Sequence, residues 1–154
     1  MSKTNELDST AVAALYDTDL HAWATTNAEL LRQGKYQHVD VLHLIEEIED
    51  MGKNDQRSLA SHLRNLLMHL LKWQYQGGIR SQSWQSSVIN ARLEIDQLLK
   101  DSPSLRVKLP ILLDTEYLAA RRLATVETQL PFKTFPEACA YTLEQVLSED
   151  WLPL

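Results

Sequence analysis

An all-α fold follows from three features of the chain. Apolar residues return every three or four positions almost everywhere, alternation with period two over a strand's length is absent, and glycine is scarce, with 4 in 154 residues. The expected architecture is a single-domain helical bundle of five to six helices with one long central helix, because each apolar stripe needs another helix to cover it. The length suits one domain over residues 1–154, with residues 1–14 as a loosely ordered N-terminal arm.

The elements can be placed in chain order. The first firm helix starts near Asp17 or Thr18, either a good N-cap, and the preceding AVAALY adds a short turn. The helix runs through Leu20, Trp23, Leu30 and Leu31 and stops before Gly34. Asp40 caps the next helix, whose stripe opens with Leu42, Ile45 and Ile48 and which runs to about Gln76. Gly52 interrupts that segment at a cost of about 1 kcal/mol relative to alanine. Positions 42, 45, 49, 52, 56, 59, 63, 66 and 70 nevertheless keep one phase through the glycine, so one continuous helix is predicted.

Gly77 and Gly78 end the long helix, and Ser81 or Ser83 caps another over residues 84–100. Pro103 sits just inside a new start, and Pro110 must kink or restart the helix there. ILLDTEYLAARRLATVETQL is strongly amphipathic. A last helix is predicted from Pro136 to about Leu147, leaving the tail SEDWLPL with Trp151 packed back on the body.

Composition narrows the function classes. No stretch reaches the length of apolar residues that a membrane span needs, and MSKTNELDST lacks the apolar centre of a secretory signal, so a cytoplasmic location is expected. Cys139, the single cysteine, excludes an internal disulfide and a cysteine-built zinc cage, and reads as a core residue. The net charge of −6 argues against nucleic acid as a partner. Residues 1–60 carry eleven acids against five bases, whereas residues 61–100 carry two against five. Weak nucleic-acid association through residues 61–108 is therefore kept as the last reading, with an ordinary solvated face as its plainer alternative.

No phosphate loop, nucleophile elbow, HExxH or cysteine-based metal pattern occurs, so enzyme activity is not expected and no cofactor is assigned. The chemistry-bearing residues are His43, Glu46, Glu47, Glu49, Asp50, His62 and His69 on the long helix. His43 and Glu47 are i, i+4 neighbours, and helical bundles do build metal sites from such pairs. Phase limits this: His62 and His69 flank the stripe, His43 points nearly away from it and is expected to be exposed, and seven residues separate His62 from His69 by roughly 10 Å. His43, Glu47, His62 and His69 are thus weak metal candidates, and no metal is assigned. The acidic run reads first as a solvated surface. His69, among leucines with Trp73 one turn on, reads first as a half-buried histidine donating to a carbonyl or carboxylate. The aromatics Trp73, Tyr75, Trp84, Tyr117 and Tyr141 read as core or interface.

LYDTDLHAW, LIEEIEDMGK followed by HLLKWQY, SWQSSVINAR, ETQLPFKTFPEACAYTLEQVL and the final DWLPL together resemble the bacterial domain of unknown function 29 family over about residues 15–154. The resemblance implies an all-helical single domain without an assigned activity. It directs attention to Asp19, Trp23, Glu46, Glu47, His69, Lys72 and Trp73, which match that pattern.

The leading functional expectation is a helical module that binds a protein partner or self-associates, with Trp73, Trp84 and Trp151 as candidate anchors. The second is a small-molecule or metal site between helices built on Glu46, Glu47 and His69, with Lys72 beside them.

Overall fold

The computed structural model describes residues 8–154. The first half of the expected N-terminal arm, residues 1–7, lies outside them. Six α-helices are present and no strand occurs among the described residues: α1 Ser9–Thr18, α2 Leu20–Arg32, α3 Val41–Tyr75, α4 Gln82–Asp101, α5 Leu109–Thr128 and α6 Leu143–Leu147. The all-α class read from the periodicity is the class of the protein. The contacts divide the chain into two compact units, one up to Lys53 and one from Asn54, with the division falling inside α3.

In the first unit, AVAALY is part of a ten-residue helix, not a single turn, and Asp8 caps it by accepting from the Ala11 amide at 2.9 Å. Asp19 rather than Asp17 or Thr18 caps α2, accepting from Ala22 N at 3.0 Å. Its extended φ of −154° takes it out of the helix, so α1 and α2 turn on one residue. Gly34, at φ 73°, closes α2: Lys35 N donates to Leu30 O at 2.9 Å and Gly34 N to Leu31 O at 3.0 Å, a Schellman arrangement that needs the left-handed backbone glycine adopts freely. Among the described residues, Val12, Trp23 and Val39 are the unit's buried apolar side chains.

α3 passes through Gly52 without a break, as the constant phase predicts. A Cβ added there would meet nothing within 4 Å, so the glycine's cost is intrinsic propensity alone. One expectation about this helix fails. Periodicity puts Leu42, Ile45 and Ile48 on the buried stripe, yet all are exposed, while Leu59, Leu63, Leu66 and Leu70 are fully buried. The reason is a change of inward face: in the first unit α3 is held through Asp40, His43 and Glu47, which lie on the other side of the helix.

The second unit holds the main core. Leu59, Leu63, Leu66, Leu67, Leu70 and Leu71 of α3 join buried residues of α4, α5 and α6 in one cluster, with Cys139 packed against it. Ser81 caps α4 by accepting from Trp84 N at 3.2 Å. Pro103 opens a 3₁₀ stretch, and α5 begins at Leu109 with Pro110 in its first turn, so the second proline restarts the helix instead of kinking it.

The predicted last helix shortens to Leu143–Leu147. Backbone carbonyls at its expected start are engaged elsewhere: Phe135 O accepts from Arg121 Nε at 3.1 Å and Pro136 O from Tyr117 OH at 2.7 Å. The helix starts where Thr142 and Gln145 form a reciprocal capping box. Buried Arg92 then anchors the tail, donating to Val146 O, Glu149 O and Trp151 O at 2.9, 3.2 and 2.8 Å. Trp151 packs back as expected, edge-on to Tyr141 with centroids 5.3 Å apart.

Candidate functional site

A polar network joins α1, α2 and the start of α3 in the first unit. Its hub is Asp40, a residue that the sequence marks only as a cap. Oδ1 accepts from His43 N at 3.4 Å at the start of α3, while Oδ2 accepts from Trp23 Nε1 at 2.9 Å and pairs with His43 Nδ1 at 2.6 Å. The Asp40 amide donates to Asn27 Oδ1 at 2.9 Å, and Asn27 Nδ2 donates to Trp23 O at 2.8 Å. Burial by itself pushes the Asp40 carboxyl up, but hydrogen bonds from Trp23 and His43 outweigh it and hold the carboxyl below its ordinary value. An ionised Asp40 has no proton to give, so His43 Nδ1 carries the hydrogen of their bond.

Tyr16 closes the network from α1. Its ring stacks on His43 with centroids 3.9 Å apart and planes 14° from parallel, and meets Trp23 edge-on at 5.1 Å. Its hydroxyl donates to Glu47 Oε1 at 2.6 Å. That bond first, then burial, then the charges of Glu46, Glu47 and Asp50 push the phenol up to about 12. His43 is consequently half-buried, with 32% of its side chain accessible, and not the exposed residue expected from phase. Phase placed His43 off the apolar stripe correctly, but the polar side is the one that faces α1.

The other side of the same helical stretch is apolar and open. Val41, Leu42, Ile45, Ile48 and Met51 are between 49% and 80% exposed. Val41, Ile45, Ile48 and Gly52 follow at i, i+4, i+7 and i+11 and form one line, with Leu42 and Met51 to either side. Glu46 and Glu49, both exposed, stand on the Leu42 side. A shallow cleft of about 450 Å³ lined by Ser9, Thr10, Ala13 and Val39 ends on Val41 and Leu42.

The remaining candidates lie in the second unit. His69 is half-buried, and its Nδ1 meets Asn65 O at 2.8 Å, the local bond expected of a helix histidine beside leucines. Lys72 is 8% exposed, with Nζ 2.5 Å from Glu127 Oε2 and 4.8 Å above the Trp84 ring. Arg80 stacks on Trp73 at 4.8 Å and donates to its carbonyl at 2.9 Å. His62 is half-buried. Of the four residues grouped by sequence, Glu46 and Glu47 therefore belong to the first unit, His69 and Lys72 to the second. Trp73, Trp84 and Trp151 are each partly covered within the second unit and engaged by Arg80, Lys72 and Tyr141. No three His, Cys, Asp or Glu side chains among the described residues are placed to hold a metal ion, and His43 and Glu47 are taken up by Asp40 and Tyr16.

Sequence reasoning does not single out Tyr16, Asn27 or Asp40 as site residues. Asn27 alone carries a signal: an asparagine in the middle of an amphipathic helix needs a tertiary or local partner when buried. No curated protein and no solved structure matches the chain. The family model described as "Domain of unknown function DUF29" matches residues 15–152.

Proposed function

This chain belongs to the DUF29 family, and for it we propose an interaction module that docks another protein on the open apolar face of α3 formed by Val41, Leu42, Ile45, Ile48 and Met51. The observation that carries this reading is the exposure of five large apolar side chains on about three turns of one helix. Single exposed apolar residues are ordinary, but a contiguous row on a rigid element marks a binding surface. The Asp40 network supports it by fixing the opposite side of that helix to α1 and α2, so the face is presented without an ordering cost. The tryptophans favoured by sequence as anchors serve less well, since each is already engaged within the second unit. The small-molecule reading is weaker for a similar reason: Glu47 is occupied by Tyr16 and Lys72 by Glu127.

A photo-crosslinking residue at Leu42 or Met51 tests the proposal in cells. Discrete protein adducts are expected, and they disappear when Ile45→Asp and Ile48→Asp are added to a chain that keeps its helical circular dichroism. No adduct from either position would count decisively against it.

A further inference from the structure

We infer that the occupant of the α3 face is a basic amphipathic helix of another protein, an inference that rests on the docking reading above and adds the partner's chemistry. Three observations carry it.

The first is charge. Residues 8–53 contain nine acids and three bases, whereas residues 54–154 contain eleven of each, so the net −6 of the chain resides in the first unit. Glu46 and Glu49 border the apolar line and are exposed. A surface with apolar centre and acidic rim is complemented by apolar anchors flanked with Lys or Arg. It repels phosphate backbones and anionic lipid surfaces alike.

The second is shape. The line from Val41 to Gly52 spans about 17 Å at 1.5 Å per residue, the length of three helical turns, and lies on one uninterrupted helix. Gly52 ends it as a notch, because nothing lies within 4 Å of where its Cβ would be. A partner backbone can approach there as it cannot at a larger residue.

The third is symmetry, which disfavours a second copy of this chain. The apolar set centres between Ile45 and Ile48, so a two-fold pairing on that centre brings together two first units, each carrying the net −6 of its chain. A heterologous basic helix meets no such cost.

The experiment measures binding of the full-length chain to three synthetic peptides by fluorescence anisotropy. One has leucines at helical spacing with lysines elsewhere, one has the same leucines with glutamates, and one has the lysine composition with scrambled spacing. The lysine amphipathic peptide is expected to bind saturably, at least about tenfold more tightly than either control, and to weaken between low salt and about 0.5 M salt. Ile45→Asp with Ile48→Asp should abolish that binding, and Glu46→Lys with Glu49→Lys should weaken it several-fold while raising affinity for the glutamate peptide. Equal binding of the two amphipathic peptides would overturn the charge assignment and leave the docking face standing. Failure of both to bind would remove the docking face as well. A concentration-dependent dimer of the chain alone, lost in the double aspartate variant, would replace this partner with a second copy and overturn the inference.

Discussion

His43 lies flat on Tyr16, centroids 3.9 Å apart, while its Nδ1 holds Asp40 at 2.6 Å. One imidazole thus ties the end of α1 to the start of α3, and the tie runs on through Asp40 to Trp23 of α2. The network has no unpaired buried side-chain polar atom. A buried network of this kind depends on every member, since removing one leaves its partners desolvated and unbonded.

Asp40→Ala is therefore expected to destabilise the chain by about 2–4 kcal/mol, because Trp23 Nε1–H and His43 Nδ1–H lose their shared acceptor at once. Urea unfolding measures this. A cycle with Trp23→Phe should return a coupling of about 1–2 kcal/mol. Independent, additive losses would mean that the network does not act as a unit.

Acid should act through the same residue. The Asp40 carboxyl is held below its ordinary 3.8 in the folded chain, so its contribution is fully present above that value. It is lost as pH falls through 3.8 toward the lower folded value. In Asp40→Asn the unfolding midpoint should change less steeply over this range than in the parent. An unchanged pH profile would contradict the depressed carboxyl.

At the alkaline end the sign reverses. Tyr16 is pushed from 10.0 up to about 12, chiefly by its hydrogen bond to Glu47, so the neutral phenol stabilises the fold below pH 10. That contribution disappears as pH rises from 10 through 12. Spectrophotometric titration should show one tyrosine fewer in this range in Tyr16→Phe, and Glu47→Gln should bring the Tyr16 transition back toward 10. If neither variant alters the curve, the phenol is not bound as described.

Arg92 makes a separate prediction for the second unit. It is buried and donates to three tail carbonyls, a geometry that the flat guanidinium meets and a lysine does not. Arg92→Lys should cost about 2–3 kcal/mol and raise amide exchange over residues 146–152 ahead of the α3 core. Parent-like protection of the tail would show that its packing, not Arg92, retains it.

Gly52→Ala should leave the fold intact and raise stability by about 1 kcal/mol, since the site is helical, exposed and open around the new methyl. A loss of stability, read in the same urea titration, would mean that the helix needs the glycine. Reduced peptide affinity in this variant, with stability raised, would instead locate the notch in the binding surface.

Much of the fold was legible because it is local. Helical periodicity, the serine and glycine stops, and the phase across Gly52 each express an energy set within one or two turns, so an all-α chain of five to six helices and the continuity of α3 follow from the residue order, whereas the ten-residue α1 was expected only as a short turn. The same logic located α2 and α4 to within a few residues. It failed at Pro136, where carbonyls are claimed by Arg121 and Tyr117 from another part of the chain, and no pattern along 135–142 records that.

The residue order alone determined the helical class of this protein, its apolar lines and the uneven distribution of its charge. Only the tertiary structure decided which line is covered. Leu63 and Ile45 sit on one continuous stripe of α3, yet the first is fully buried and the second open. Asp40, the cap at the start of that helix, also became a hub joining three helices. Periodicity states that a helix has an apolar side, but burial depends on which elements the rest of the chain brings to it, and those contacts are made between residues far apart in the sequence.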